Sequence, residues 1–260
     1  MDATNRIALL VVLAGLLLTF APNPVPASDS PCPDRTTLQQ GAEKIFPQGT
    51  IIQEISPGPV PGLCQVQVLF QGQKRIFYSD RSGKYFILGQ VIDVEARANL
   101  TRTATEEANR LTPEELDRLK GWTAFESGTG SNYVYIVTDP QCPYCRQAEE
   151  RLEELGRQGR MRARYILFPL PSHKGAREQC IALLCDKKGL EEFKQGYSSG
   201  NQCAEGAGTV DETAAFLRSK GISGTPTYIF PDGTFHSGLM GNDELVTRVE
   251  RAMERSASGR

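Results

Sequence analysis

Two folded modules joined by a polar helical stretch are what this sequence predicts: a small α+β domain over 28–100 and an α/β domain over 121–260. Three observations carry the prediction. Between Thr50 and Glu95 lie short segments rich in β-branched and aromatic residues, cut by Pro/Gly turn sequences. Beyond residue 131 apolar runs alternate with amphipathic helical stretches, which is the order of a β/α domain. The stretch between them, 101–120, is polar with a thin apolar stripe at Leu111, Leu116 and Leu119, and is expected to be a linker helix.

The first residues differ from the rest. Behind Arg6, residues 7–21 form an uncharged apolar run of 15 residues. That is shorter than the roughly 20 residues a helix needs to span a bilayer. Pro22, Pro24 and Pro26 follow, and Val25-Pro26-Ala27 offers small residues for cleavage after Ala27. Residues 1–27 therefore read as a secretory signal peptide, with an uncleaved membrane anchor as the alternative. Either reading places the remainder outside the cytoplasm. Charge is nearly balanced, 29 Lys+Arg against 31 Asp+Glu, so no basic stripe argues for nucleic acid.

In the first domain, "TTLQQGAEKIF" has helical apolar spacing at Leu38, Ala42 and Ile45. "TIIQEISP", "LCQVQVLF", "KRIFYSD", "KYFILG" and "QVIDVE" are the expected strands of a mostly antiparallel sheet. Some 65 residues around one thin sheet make a poor core, and such a module often completes itself against another copy. In the linker, Thr112, Pro113 and Glu115 supply an N-cap, a proline at the first helical position and the third-position acid of a capping box.

In the second domain "NYVYIVTD" is strand-like and ends at "CPYC". A helix follows, with Ala148, Leu152 and Leu155 on one face and the Glu149, Glu150, Glu153 and Glu154 cluster read as a solvated face. "MRARYILFPLP" is a second strand; "HKGAREQCIALLC", "KGLEEFKQGY" and "TVDETAAFLRSKG" are helical. "GTPTYIFPDGTFHSGLM" reads as two strands about an Asp232-Gly233 turn, and a last helix is expected to be capped by Asn242. This is the order of a thioredoxin-like domain with a helical insertion.

Cys142 and Cys145 could be a redox dithiol, half of a zinc site or a structural disulfide. Export means that disulfides persist, and seven cysteines leave at least one thiol over. A zinc site needs two more soft ligands; Cys180, Cys185, Cys203, His173 and His236 exist, but no second pair at two-residue spacing does. The redox reading is favoured, with neither metal nor cofactor. Cys142 follows a strand and Pro143 starts a helix, whose free N–H groups and dipole can stabilise a thiolate there. Cys145 returns to the same side of the first turn and can release a mixed disulfide. Asp139 either tunes proton transfer or caps the helix. Farther on, Gly224-Thr225-Pro226 opens a strand with an X-Pro bond able to be cis.

"DPQCPYC", "SGTPTYIF", "LLCDKKGLEEF…SSGNQC" and "ISPGPVPG…IFYSDRSGKYFILGQVIDV" together resemble the periplasmic protein-disulfide isomerases of the DsbC/DsbG type. The resemblance implies a cystatin-like N-terminal dimerisation domain and a V-shaped homodimer whose thioredoxin-like domains face a cleft. It also implies a periplasmic location, clients that are unfolded or mis-disulfided exported proteins, and a membrane disulfide reductase as electron donor. By the resemblance Cys142 attacks, Cys145 resolves, and Thr225 with cis-Pro226 holds the client chain beside Pro143 and Tyr144. Cys185 and Cys203 match the family's structural disulfide. Cys32, Cys64 and Cys180 depart from the pattern: Cys32 with Cys64 would staple the extended N-terminus to the first sheet, leaving Cys180 as a buried odd thiol. The proline in "CPYC" lies nearer the DsbG side. The expected activity is disulfide isomerase or reductase; the alternatives are a reductase protecting sulfenylated single cysteines and a chaperone-like binder of unfolded chains.

Overall fold

The computed structural model describes residues 31–258, so the signal-peptide reading of 1–27 lies outside the described residues. Helix α1 (Arg35–Ile45) opens the first domain, capped by Asp34, which accepts from the Thr37 N–H at 2.8 Å. Leu38 and Ala42 are fully buried as their spacing predicts, but Ile45 is exposed. Strands β1 (Ile51–Pro57), β2 (Leu63–Phe70), β3 (Gln73–Asp80) and β4 (Phe86–Ile87) form one antiparallel sheet in that order. Along β2 burial alternates through Cys64, Val66 and Val68, placing one face against α1. Ile52, Val66, Val68, Phe77, Leu38 and Ala42 make the core, closed by Phe46 and Phe86.

A short ribbon of β5 (Ile92–Asp93) and β6 (Ala98–Asn99) leads into α2 (Leu100–Ala108) and then α3 (Pro113–Gly121). The single linker helix expected over 101–120 is thus two helices. The break is used for docking. Asn109 bonds both backbone groups of Lys74 on β3, accepting from its N–H at 2.9 Å and donating to its carbonyl at 2.7 Å. Leu111 is buried in the second domain's core and donates its N–H to Gly233 O at 2.8 Å. The Thr112–Glu115 capping box then starts α3.

The second domain contains β7 (Phe125–Ser127), β8 (Tyr133–Thr138), α4 (Pro143–Arg157), β9 (Arg162–Leu167), α5 (Ala176–Cys185), α6 (Leu190–Lys194), α7 (Ala204–Ser219), β10 (Thr227–Ile229), β11 (Phe235–Ser237) and α8 (Asn242–Ala257). Its sheet runs β11-β10-β8-β9-β7, with β8 and β9 parallel and the other pairs antiparallel. Val134, Tyr135, Ile136 and Val137 are all buried because both faces of β8 are covered. One core lies between the sheet and α4 with α8; the other lies between the sheet and α7, sealed by Leu111 and Leu119 of the linker. β7, an edge strand of three half-buried or exposed residues, carries no strand pattern of its own. The last helix is capped by Gly241, and Asn242 is already inside it, contrary to the expected cap.

Candidate functional site

β8 delivers the chain to the start of α4, where Cys142 is the N-cap residue and Pro143 occupies the first turn. Cys142 makes no side-chain capping bond, and it sits at the helix end where the first peptide N–H groups lack intrahelical acceptors. Cys142 is 4% exposed and Cys145 is fully buried, and both carry free thiols. Tyr144 between them stands out at 59% exposure. Against this turn lies the loop before β10. The Thr225–Pro226 bond is cis, and Cys142 Sγ lies 3.6 Å from the Thr225 carbonyl oxygen. β10 pairs antiparallel with β8, Thr227 opposite Val137, which brings residues 83 apart into contact. The predicted set Cys142, Cys145, Pro143, Tyr144, Thr225 and Pro226 is therefore gathered at one end of the sheet.

Burial pushes the Cys145 thiol up to about 12, even though Thr138, Thr225 and the Asp139 N–H would stabilise its charge. Thr225 Oγ1 is buried and has no hydrogen-bond partner among the described residues. Glu149, read from the sequence as solvated, is 2% exposed and accepts from the Thr138 hydroxyl at 2.7 Å. Desolvation raises its pKa to about 7, with Glu153 adding to the rise and Thr138, Lys194 and Arg146 opposing it. The helical spacing carried a signal for this: one turn after Cys145, Glu149 falls beside Ala148 and Leu152 rather than opposite them.

Asp139 is not the cap of α4. Its carboxylate is buried, accepting from Gln141 N and Leu170 N at 2.7 Å each and meeting His173 Nδ1 at 2.8 Å. It ties the dithiol loop to the loop after β9. Sequence reasoning missed this, since Leu170 and His173 come alongside only once β9 lies parallel to β8.

The remaining cysteines lie elsewhere. Cys185 and Cys203 are bonded at 1.98 Å, joining the end of α5 to the start of α7. Cys32 and Cys64 are bonded at 2.02 Å, joining the segment before α1 to β2. Cys180 is a fully buried free thiol raised strongly by burial.

A dithiol at the junction of a central strand and a helix, faced by a cis X-Pro loop, defines a thioredoxin-fold domain, here with an α5–α7 insertion. Residues 126–252 match the thioredoxin-like domain family, and residues 29–102 match the family described as disulfide bond isomerase protein N-terminal domain. The chain thus carries both of these domains, and curated proteins similar to it are named thiol:disulfide interchange protein DsbC, the first of them being spanned over less than two thirds of its length. It is 27% identical to the probable thiol:disulfide interchange protein DsbC of Bordetella pertussis over 190 residues, 72% of this chain and 65% of that protein. The thiol:disulfide interchange protein DsbC of Dickeya dadantii is 22% identical over 240 residues, 90% of this chain and 92% of that one. Among solved structures, the catalytic domain of Proteus mirabilis ScsC is 19% identical, with a TM-score of 0.44 over 54% of this chain and 96% of that chain.

Proposed function

We propose that this protein is an exported, homodimeric thiol-disulfide isomerase and reductase acting on proteins with non-native disulfides. The observation that carries the reading is the placement of Cys142 at the α4 N-terminus, facing Thr225–cis-Pro226, with Cys145 buried one turn behind. A helix N-terminus stabilises negative charge, and disulfide exchange needs a thiolate. Cys142 attacks one sulfur of a client disulfide; a Cys142–client S–S bond forms and the other client sulfur leaves as a thiolate. That thiolate can attack elsewhere in the client and finally expel Cys142, which reshuffles bonds with no net redox change. Alternatively Cys145 attacks Cys142 Sγ, releasing a reduced client and leaving a Cys142–Cys145 disulfide. The second route consumes two electrons, supplied by a membrane disulfide reductase. The Thr225–Pro226 loop and exposed Tyr144 form the surface along which the client backbone lies.

The first domain supports assembly with a second copy. Ile45, Ile51, Ile87, Leu88, Ile92 and Val94 are all exposed on it, around a core of only a few side chains. Export to the periplasm is read from residues 1–27; no described helix is long and apolar enough to cross a membrane. Recovery of activity from scrambled ribonuclease tests the function. The reduced protein should restore it and the Cys142→Ser variant should not; equal recovery from both, or none from either, would sink the reading.

A further inference from the structure

The first domain touches the second where the cis-proline loop begins. β2 and β3 pair as far as Phe70 and Gln73, leaving Gln71 and Gly72 as a two-residue turn with φ of 50° and 77°. Two positive φ values make the tight hairpin turn whose twist matches that of its strands. The tip lies against the end of α7: a Cβ on Gly72 would stand 3.1 Å from Ser219 O and 3.2 Å from Arg218 O. α7 closes there in a glycine cap. Gly221, with φ of 74°, donates its N–H to Arg218 O at 2.9 Å, and Ile222 donates to Leu217 O at 2.9 Å. The Gly221 carbonyl oxygen accepts from Gln73 Nε2 at 2.6 Å, across 148 residues of sequence. Gln73 Oε1 accepts from Arg75 Nη2 at 3.1 Å, which fixes the amide with its donor toward Gly221.

Four residues separate Gly221 from Thr225, and they have little packing of their own. Ile222 is fully buried, but Ser223 is exposed, and nothing lies within 4 Å of where a Cβ on Gly224 would stand. Glycine leaves the backbone many conformations, so this stretch depends on its two ends. At the far end the Thr227 hydroxyl donates to Gly224 O at 2.8 Å, and β10 joins the sheet. At the near end the holds come from outside the second domain: Gln73 bonds Gly221, and Glu115 of α3 pairs with Lys220. We propose that the β2–β3 hairpin positions the client-binding loop of its own chain, Gln73 holding Gly221 so that Thr225–Pro226 stays against Cys142. This rests on the reading of Thr225–Pro226 as the surface that receives the client beside the attacking thiol. The first domain then serves the site directly, in addition to joining two copies.

The contact is fitted on both sides. A Cβ on Gly221 would stand 2.0 Å from Gln73 Cγ, so the glycine that caps α7 also leaves the space that the Gln73 side chain fills. Asn109 holds both backbone groups of Lys74, the next residue along β3, which keeps Gln73 in register with the second domain. Gln73 touches neither sulfur and is a positioning residue. Its part is played by one N–H donor: methionine keeps the length and loses the donor, while glutamate keeps the shape and sets an acceptor against the Gly221 carbonyl.

Two probes of Cys142 on the reduced full-length protein test this. Iodoacetamide needs only the thiolate. An extended peptide carrying one cysteine–glutathione mixed disulfide must also lay its backbone along the loop; its single-turnover reaction is read by acid quench and mass spectrometry. Gln73→Met should raise the half-saturation concentration for the peptide by roughly 2- to 10-fold, the worth of one hydrogen bond. Gln73→Glu should raise it further. The limiting rate, the iodoacetamide rate and its pH profile should all stay within about twofold of the wild type, since Cys142 and α4 are untouched. Sedimentation should show the same assembly in all three proteins. An unchanged half-saturation concentration in Gln73→Glu, or equal slowing with both probes, overturns the positioning role. A raised half-saturation concentration with altered sedimentation traces the effect to assembly and overturns it too. A wild type that reacts with iodoacetamide but not with the peptide, or a peptide reaction that survives Cys142→Ser, instead overturns the reading of the site, and the positioning role with it.

Discussion

Cys142 Sγ and the Thr225 carbonyl oxygen lie 3.6 Å apart, while the Thr225 hydroxyl on the same residue is buried without a hydrogen-bond partner among the described residues. The backbone of Thr225 thus addresses the attacking sulfur, and its side chain stands ready for charge on Cys145. A buried hydroxyl that bonds nothing costs about 1–3 kcal/mol. Thr225→Val, which keeps the shape, should therefore leave the protein at least as stable, raising its unfolding free energy in denaturant by up to about 1 kcal/mol. The same variant should slow closure of the Cys142–Cys145 disulfide severalfold, because the Cys145 thiolate loses a donor. A clear loss of stability would show that the hydroxyl is bonded in the folded protein.

Gly206 sits against the second disulfide. A Cβ on it would stand 2.6 Å from Cys185 Sγ, 3.2 Å from Cys203 Sγ and 3.2 Å from Ile181 O. Neither the bonded sulfur nor the α5 carbonyl can move aside freely, so Gly206→Ala should destabilise the α5–α7 insertion by about 1–3 kcal/mol, as overpacking does. Opening the disulfide by Cys185→Ser with Cys203→Ser should cost about 3 kcal/mol in the chain-entropy account. If the clash is with the disulfide, adding Gly206→Ala to that double variant should cost less than it does in the wild type, a non-additivity measurable by thermal unfolding.

Local rules made much of this legible in the sequence. The α4 amphipathic stripe, the Thr112–Glu115 box and the strand over "LCQVQVLF" depend on neighbours a few residues away, and each is present as read. What escaped depends on distant partners. β7 is a strand only because Phe125 and Ser127 pair with Tyr165 and Ala163 of β9. The linker breaks where Leu111 and Asn109 find Gly233 and Lys74, neither of which is near in sequence. Within the site, the cysteines and the X-Pro loop were visible as motifs. Glu149 was misplaced because a carboxylate's usual position is the surface, and Asp139 was a cap candidate because its partners Leu170 and His173 are distant in sequence.

The exposed apolar residues of the first domain carry a prediction about assembly. Ile92 is 56% and Val94 82% exposed, on the ribbon that precedes α2. Side chains of this kind in a cluster are unfavourable in water unless covered. Analytical ultracentrifugation should find a dimer at micromolar concentration, and Val94→Asp with Ile92→Asp should shift it to the monomer while leaving dithiol oxidation of the second domain intact. A wild-type monomer at those concentrations would refute the dimer. A double variant that stays dimeric would move the interface away from this ribbon.

Glu149 also sets a pH dependence of stability whose sign follows from its raised pKa. The unfolded carboxyl titrates near 4.5 and the folded one near 7, so between these values the folded state holds more proton than the unfolded state. The protein should accordingly lose stability from this group as pH rises from about 4.5 through 7, with no further loss above. Glu149→Gln has no such titration. It should match the wild type more closely at pH 5 and exceed it at pH 8 by roughly 3 kcal/mol, the free energy that separates the folded and unfolded carboxyl groups. Urea unfolding at the two pH values checks this. A variant less stable than the wild type at pH 8 would mean that the folded protein compensates the buried carboxylate, and Glu149 would then be an anchor for Thr138 and no store for a proton.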